Sequence, residues 1–267
     1  MKLIAFYLPQ FHEIPENNDA WGNGFTEWVN VKKAKPLFLG HNQPRRPLQD
    51  RYYNLLDPGV MDWQMRLAKK AGIYGFCFYH YWFGDRMVLE KPAEMLLKNQ
   101  KMDFHYCFSW ANEPWTKTWH GAGGNKEILI PQKYGGEEEW RNHYHYFRKF
   151  FMDKRYIKEE NCPVLLIYRL RNIPNFNDML RRWNQWARED GFGGIFLISM
   201  DMWREQASKS RLVNGTVDFE PGKTRAWMMQ QTSLWKPKDS FSLLQNRFAV
   251  RSISYREINK KMLKTPH

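Results

Sequence analysis

The chain has 267 residues, 43% hydrophobic and 26% charged, with no low-complexity tract, which suits one α/β barrel domain and excludes a disordered or fibrous chain. The formal charge of +13 points toward a polyanionic partner, but residues 203–267 hold 13 Lys and Arg against 5 Asp and Glu as scattered single charges. With no helix-turn-helix, zinc-finger or RNP pattern, nucleic acid is not the expected partner.

In chain order, "LIAFYL" (3–8) is a short apolar run stopped by Pro9 and reads as a buried strand. "DPGVMDWQMRLAKKAG" (57–72) reads as a helix with Asp57 as N-cap, Pro58 in the first turn and Gly72 as terminator. "IYGFCFYHYW" (73–82) is a second strand, "KPAEMLLKNQ" a helix and "DFHYCFSW" (103–110) a third strand. The same alternation continues through a helix at 137–151, a strand at 162–170, a helix at 176–190 closed by Gly191, and the strand "GGIFLISM". A shorter strand "TVDFEP" (216–221) and a helix over 254–264 end the series.

Continuous apolar strands, each followed by a helix, predict a parallel sheet. Neither G-x-G-x-x-G nor a P-loop follows the first strand, which argues against a doubly wound nucleotide fold. Polar and aromatic residues instead recur where strands end, as a (β/α) barrel requires for its site: Tyr7, Gln10 and His12; His80, Tyr81 and Trp82; Trp110, Asn112 and Glu113; Tyr168 and Arg169; Glu220. About six strand–helix units are countable where a closed (β/α)8 TIM-type barrel needs eight, so the expectation is one domain over 1–267 that lacks the last two units.

Two stretches carry chemistry. "SWANEPW" sets Glu113 beside Asn112 among Trp110, Trp115 and Trp119, a carboxyl group with a hydrogen-bonding amide and aromatic platforms, as sugar-processing sites need. The bland reading of Asn-Glu-Pro is a strand-ending turn. "NDAWGNGFTEWVNV" (18–31) brings Trp21, Glu27 and Trp28 beside a glycine turn, either over the barrel mouth or in a packed cap. His143 and His145 stand two apart on a helix and face different ways, so no metal site is expected, and no cofactor motif is present. Three scattered cysteines speak against a disulfide framework. No stretch of about 18 apolar residues occurs. The expectation is therefore a cytoplasmic protein with no transmembrane segment and, at most, peripheral membrane contact.

The stretches "FYLPQFHEIPENNDAWGNGFTEW", "GHNQPRRP", "YGFCFYHYWF", "CFSWANEPWTKTWHG" and "DKRYIKEENCPVLLIYR" together resemble the WbsX-like proteins, which are related to glycoside hydrolase family 99 and occur in lipopolysaccharide and O-antigen gene contexts. The resemblance runs in order from residue 2 to at least residue 221. It implies a (β/α)8 barrel with an oligosaccharide or polysaccharide substrate. In family 99 that means endo-acting, retaining cleavage of α-mannosidic linkages, one carboxylate assisting the sugar's own 2-hydroxyl and another serving as acid/base. The WbsX branch carries a glycosyltransferase label, so hydrolysis and transfer both stay open. The resemblance also implies an N-E-W-x-E-G motif on the last strand and a W-D-N segment before it, and neither is present here. The expectation is a truncated barrel in which Glu113 and Glu220 are the candidate catalytic carboxylates. Its candidate substrate contacts are Tyr7, Gln10, His12, Trp21, Glu27, Trp28, His80, Tyr81, Trp82, Trp110, Asn112, Trp115, Trp119 and Tyr168. The alternative is a catalytically inactive glycan-binding remnant.

Overall fold

The structure, a computed structural model, describes residues 1–117, 127–200, 210–220, 224 and 255–262. Six parallel strands form one sheet: β1 (Ile4–Tyr7), β2 (Gly75–Trp82), β4 (His105–Trp110), β8 (Cys162–Ile167), β9 (Phe196–Ser199) and β10 (Gly215–Thr216). Each pairs with the next in chain order, so the sheet is wound in one direction. Short antiparallel additions are β3 (Met87–Val88) on β2 and β7 (Lys158–Glu159) on β8, while β5 (Trp115–Thr116) and β6 (Ile128–Ile130) make a separate hairpin. The helices are α1 (Pro15–Trp21), α2 (Glu27–Lys33), α3 (Val60–Lys70), α4 (Lys91–Lys98), α5 (Glu137–Phe151), α6 (Phe176–Glu189) and α7 (Tyr255–Met262).

Strand register sorts the side chains into two faces. Tyr7, Phe78 and Phe108 align across β1, β2 and β4 on one face, with His80 and Trp110 above them. All three major helix contacts fall on that face: Tyr7 donates to Gln64 of α3 at 2.6 Å, His80 meets His143 of α5, and Trp110 packs on Trp183 of α6. Phe6, Cys77, Tyr79, Tyr81, Cys107 and Ser109 take the other face. A one-way parallel sheet with its helices on one side curls around its other face, and six strands make the arc of a barrel rather than a closed one.

The helix face carries the main core, including Phe78, Phe108, Trp110, Phe147, Phe150 and Trp183, each at most 1% exposed. Beneath it Arg155, 4% exposed, donates to Asp153 and to the carbonyls of Leu96, Leu97, Asn99 and Met102, tying the end of α4 to the segment before β7. The inner face is thinner. Phe6 is 42% exposed, stacks on Tyr79 at 5.7 Å and meets Phe219 at 6.1 Å, while Phe219 reaches Tyr168 at 5.6 Å.

Of the element boundaries that differ from expectation, three show what sets them locally. Helix α3 starts at Val60 rather than beside Asp57, because Gly59 adopts φ +82° and breaks the helical path. Its end does follow the sequence: Gly72, at φ +75°, supplies the left-handed residue beyond the last turn. Strand β8 stops at Ile167 because its neighbour β4 ends at Trp110, whose carbonyl takes one last bond from Tyr168 N–H. Strand β10 covers Gly215–Thr216, which pair with Ile198 and Ser199 at the end of β9. The six parallel strands and the singly wound sheet read from the sequence are present.

Candidate functional site

The strand ends hold a cavity of about 250 Å³ lined by Gln10, Tyr79, Tyr81, Ala111, Glu113, Pro114, Trp115, Thr116 and Tyr168, slightly below the usual range of about 300–1,000 Å³ for ligand pockets. Its lining is rich in aromatic rings, and its polar groups converge from the ends of four strands, β1, β2, β4 and β8. That arrangement depends on what happens just after β4.

Asn112, fully buried, makes the join. Its Oδ1 accepts from Arg169 N–H at 2.7 Å and its Nδ2 donates to the Arg169 carbonyl at 2.8 Å, locking the ends of β4 and β8 together. Tyr134 Oη donates to the Asn112 carbonyl at 3.0 Å. Pro114 cannot extend the strand, so the chain turns and Glu113 projects into the mouth. There Arg169 Nε donates to Glu113 Oε1 at 2.9 Å, and the guanidinium lies over the Tyr168 ring at 4.4 Å. The Glu113 side chain stays 45% exposed, so one face of the carboxylate is open to a ligand.

Across the mouth, Gln10 Nε2 donates to Tyr81 Oη at 3.0 Å, and the Trp115 ring meets Tyr81 edge-on at 5.1 Å. Trp115 Nε1 donates to Asn17 Oδ1 at 3.3 Å, which anchors the wall to α1 of the first long loop. Burial raises the phenols of Tyr79 and Tyr81 far above their ordinary value, so both present neutral hydroxyl groups at any physiological pH. The cavity thus offers apolar ring faces, neutral hydroxyl and amide groups, and a carboxylate balanced by Arg169. This is the donor and acceptor set for a neutral polyhydroxy compound.

The proposed contacts divide by strand parity. Gln10, Tyr81, Glu113, Trp115 and Tyr168 line the cavity and Asn112 holds it together. Tyr7, His80, Trp82 and Trp110 point to the helix face. There His80 Nε2 and His143 Nε2 are 2.9 Å apart, Trp82 stacks on His143 at 4.4 Å and donates to Glu139, and Trp110 Nε1 donates to the Trp82 carbonyl. Burial lowers the His80 imidazole to about 3 and raises the Glu139 carboxyl to about 7. His12, Trp21, Glu27 and Trp28 belong to the first loop. His12 is buried and held neutral, its imidazole lowered to about 4 by burial and by nearby Lys91. Trp28 Nε1 donates to the Tyr53 carbonyl at 2.7 Å, Trp21 stacks on Phe25, and burial raises the Glu27 carboxyl to about 7.

Glu220 accepts from both Thr224 N–H and Thr224 Oγ1 at 3.0 Å, so each of the two candidate carboxylates has its own intramolecular partner. Trp119 lies outside the described residues. Tyr79, Pro114 and Thr116 line the cavity and were not singled out from the sequence. Among the described residues no group of three His, Cys, Asp or Glu is placed to hold a metal ion, and no helix is long and apolar enough to cross a membrane.

Residues 3–267 match the family described as "Glycosyltransferase WbsX". The chain belongs to that family. It is 35% identical over 257 residues to "Uncharacterized protein WxcX" of Xanthomonas campestris pv. campestris, covering 96% of this chain and 36% of that protein. The WxcX of strain B100 is 37% identical over 219 residues, 82% of this chain and 31% of that protein. The chain therefore spans about a third of the length of these curated relatives. Among solved structures it is similar to a "Glycoside hydrolase-like protein" (14% identity, TM-score 0.47, 94% of this chain and 69% of that one). It is also similar to the GH99 endo-alpha-mannosidase from Bacteroides thetaiotaomicron (15% identity, TM-score 0.46, 87% and 67%).

Proposed function

We propose that this chain is the substrate-binding part of a glycan-active enzyme of bacterial lipopolysaccharide or O-antigen metabolism, working on the cytoplasmic side. In this reading an oligosaccharide lies against Tyr79, Tyr81, Trp115 and Tyr168, with Glu113 and Gln10 bonding its hydroxyl groups. The observation that carries it is the cavity at the strand ends, where ring faces converge with a half-exposed carboxylate and uncharged hydrogen-bonding groups. Family membership supports it.

The reaction is cleavage or transfer at a glycosidic bond. Because Glu113 is ion-paired to Arg169 and Glu220 is engaged by Thr224, the proposal gives Glu113 a substrate-binding role. The acid/base and assisting carboxylates then belong to two further β/α units of the longer protein, which would complete a single barrel with this chain. The exposed side chains of β1, with Ile4 at 39% and Phe6 at 42%, are consistent with a further strand at that edge. An inactive glycan-binding chain is the alternative.

Calorimetric titration with α-mannose oligosaccharides, followed by product analysis, tests the reading. Binding by the wild type that Trp115→Ala reduces tenfold or more is the expected result. Equal binding by both proteins would remove the cavity from the glycan site. Product formation by residues 1–267 alone would remove the inactive alternative, and product formation only when further coding sequence is supplied would assign the chemistry to residues outside this chain.

A further inference from the structure

Within the first long loop, the stretch 32–51 combines two features that no cavity residue shares. It carries six Lys and Arg (Lys32, Lys33, Lys35, Arg45, Arg46, Arg51) against one acid, Asp50, and all six basic side chains are exposed. Between them Leu37 is 67% exposed, Leu39 103% and Leu48 87%, with Phe38 at 37%. Large apolar side chains this bare are ordinarily scattered singly over a surface, and a cluster of them rimmed by polar groups marks an interaction site.

The tip is built rather than loose. Leu37 N–H donates to His41 Nδ1 at 3.1 Å, His41 N–H donates to the Phe38 carbonyl at 3.1 Å, and the Phe38 and His41 rings stack at 4.6 Å. These bonds close the turn on itself and leave Leu37 and Leu39 projecting from it. At the loop's base Arg51 lies over the Trp63 ring at 3.8 Å and Lys32 over Tyr52 at 4.3 Å, which ties the basic rim to the body of the protein.

We propose that this loop is a peripheral docking surface for an anionic lipid bilayer, with Leu37 and Leu39 entering the acyl boundary while Lys33, Lys35, Arg45 and Arg46 meet acidic headgroups. Charge complementarity selects this occupant, since an apolar tip ringed by cations suits the negative surface of a cytoplasmic leaflet. A second exposed apolar group among the described residues, Leu3, Ile4, Phe6 and Leu8, has Lys2 as its one charged residue in positions 1–8 and lies on a strand at the edge of the sheet, which suits protein rather than lipid. Residues 32–51 belong to the connection from β1 to α3, the same connection that supplies Gln10 to the cavity wall. The proposal does not depend on the glycan reading.

Co-sedimentation of the full-length protein with vesicles of phosphatidylcholine, with and without about one-third phosphatidylglycerol, tests it at about 0.1 M salt. Because a chain of charge +13 will adsorb to anionic lipid to some degree anyway, the decisive measurement compares matched variants. Arg45→Gln with Arg46→Gln should weaken binding roughly twentyfold, about fivefold per basic side chain. Leu37→Ser with Leu39→Ser should weaken it about tenfold with no change of charge. Lys260→Gln with Lys261→Gln, an equal charge loss on the exposed face of α7, should change it less than about twofold. Equal losses from the two basic pairs, no loss from the leucine pair, or no preference for phosphatidylglycerol would each overturn the proposal. So would a lower melting temperature for the leucine pair, because the loop would then be covered by protein.

Discussion

Strand β2 holds two sites that share a backbone. Tyr79 and Tyr81 face the inside of the arc and line an open cavity, while His80 and Trp82, each one residue away, face the helices and take part in a packed network with His143, Trp110 and Trp183. Both sets are aromatic with polar atoms. The helix-facing set bonds within the packed core, whereas on the inner face Tyr81 accepts from Gln10 and both phenols still border the open cavity; that difference separates groups that hold the fold from groups placed to meet a ligand. Substitutions on the two faces should therefore fail in different ways.

The largest effect should come from Trp110→Ala. Trp110 is 1% exposed, packs against His143 at 4.6 Å and Trp183 at 6.1 Å, and gives its indole N–H to the Trp82 carbonyl. Removing the ring should cost about 3–5 kcal/mol, read as a lower denaturation midpoint, with no recovery on adding oligosaccharide. A loss below about 1 kcal/mol would show that the helix face is less tightly built than its burial indicates.

This split also measures how far the sequence could be read. The one-way strand order, the six parallel strands and the terminator Gly72 were legible because apolar periodicity and a glycine with positive φ are local signals. Parity was legible too but went unused: "FYHYW" alternates, so once Tyr81 joins Gln10, Tyr79 belongs with them and His80 does not. Family motifs mark a strand end as a whole and do not separate its two faces. The Glu113–Arg169 pair is different in kind, since it depends on the Asn112 clamp joining β4 to β8 across 57 positions. No local pattern encodes that closeness. Nor does pattern reveal that His80 and His143, 63 positions apart, meet in the core.

A second, smaller effect is acid sensitivity confined to the helix face. Burial lowers both imidazoles, His80 to about 3 and His143 well below the ordinary value of 6.5, where proximity to His80 adds to burial. In the unfolded chain each takes up a proton near pH 6.5, whereas in the folded chain neither does until much lower pH. Stability from the pair is thus complete above about pH 6.5 and falls as pH drops toward about 3, with a slope near 1.4 kcal/mol per pH unit for each histidine. Between pH 7 and pH 5 the wild type should lose about 2 kcal/mol per histidine relative to a His80→Phe, His143→Phe variant compared with itself. Parallel denaturation curves for the two proteins across that range would refute the assignment. Glu139 works in the opposite sense: its carboxyl is raised to about 7, so it favours the fold below about pH 4.5 and that contribution is lost as pH rises through 7, and because both proteins keep it the comparison between them isolates the histidines.

The smallest effect on stability should come from the inner face. Tyr79→Phe removes one hydroxyl group from the cavity wall and keeps the ring that stacks on Phe6 at 5.7 Å. Where the helix-facing tryptophan leaves a hole, this change leaves the packing intact, so the denaturation midpoint should move by less than about 0.5 kcal/mol. If the hydroxyl bonds a sugar, α-mannose oligosaccharide affinity should fall about five- to tenfold, in line with a neutral hydrogen bond of about 1 kcal/mol or slightly more. The pairing of a nearly unchanged midpoint with weakened binding is the signature of a ligand-facing group. A midpoint lowered as much as in Trp110→Ala, with affinity unchanged, would mean that Tyr79 belongs to the core and that the division between the two faces does not separate structure from binding.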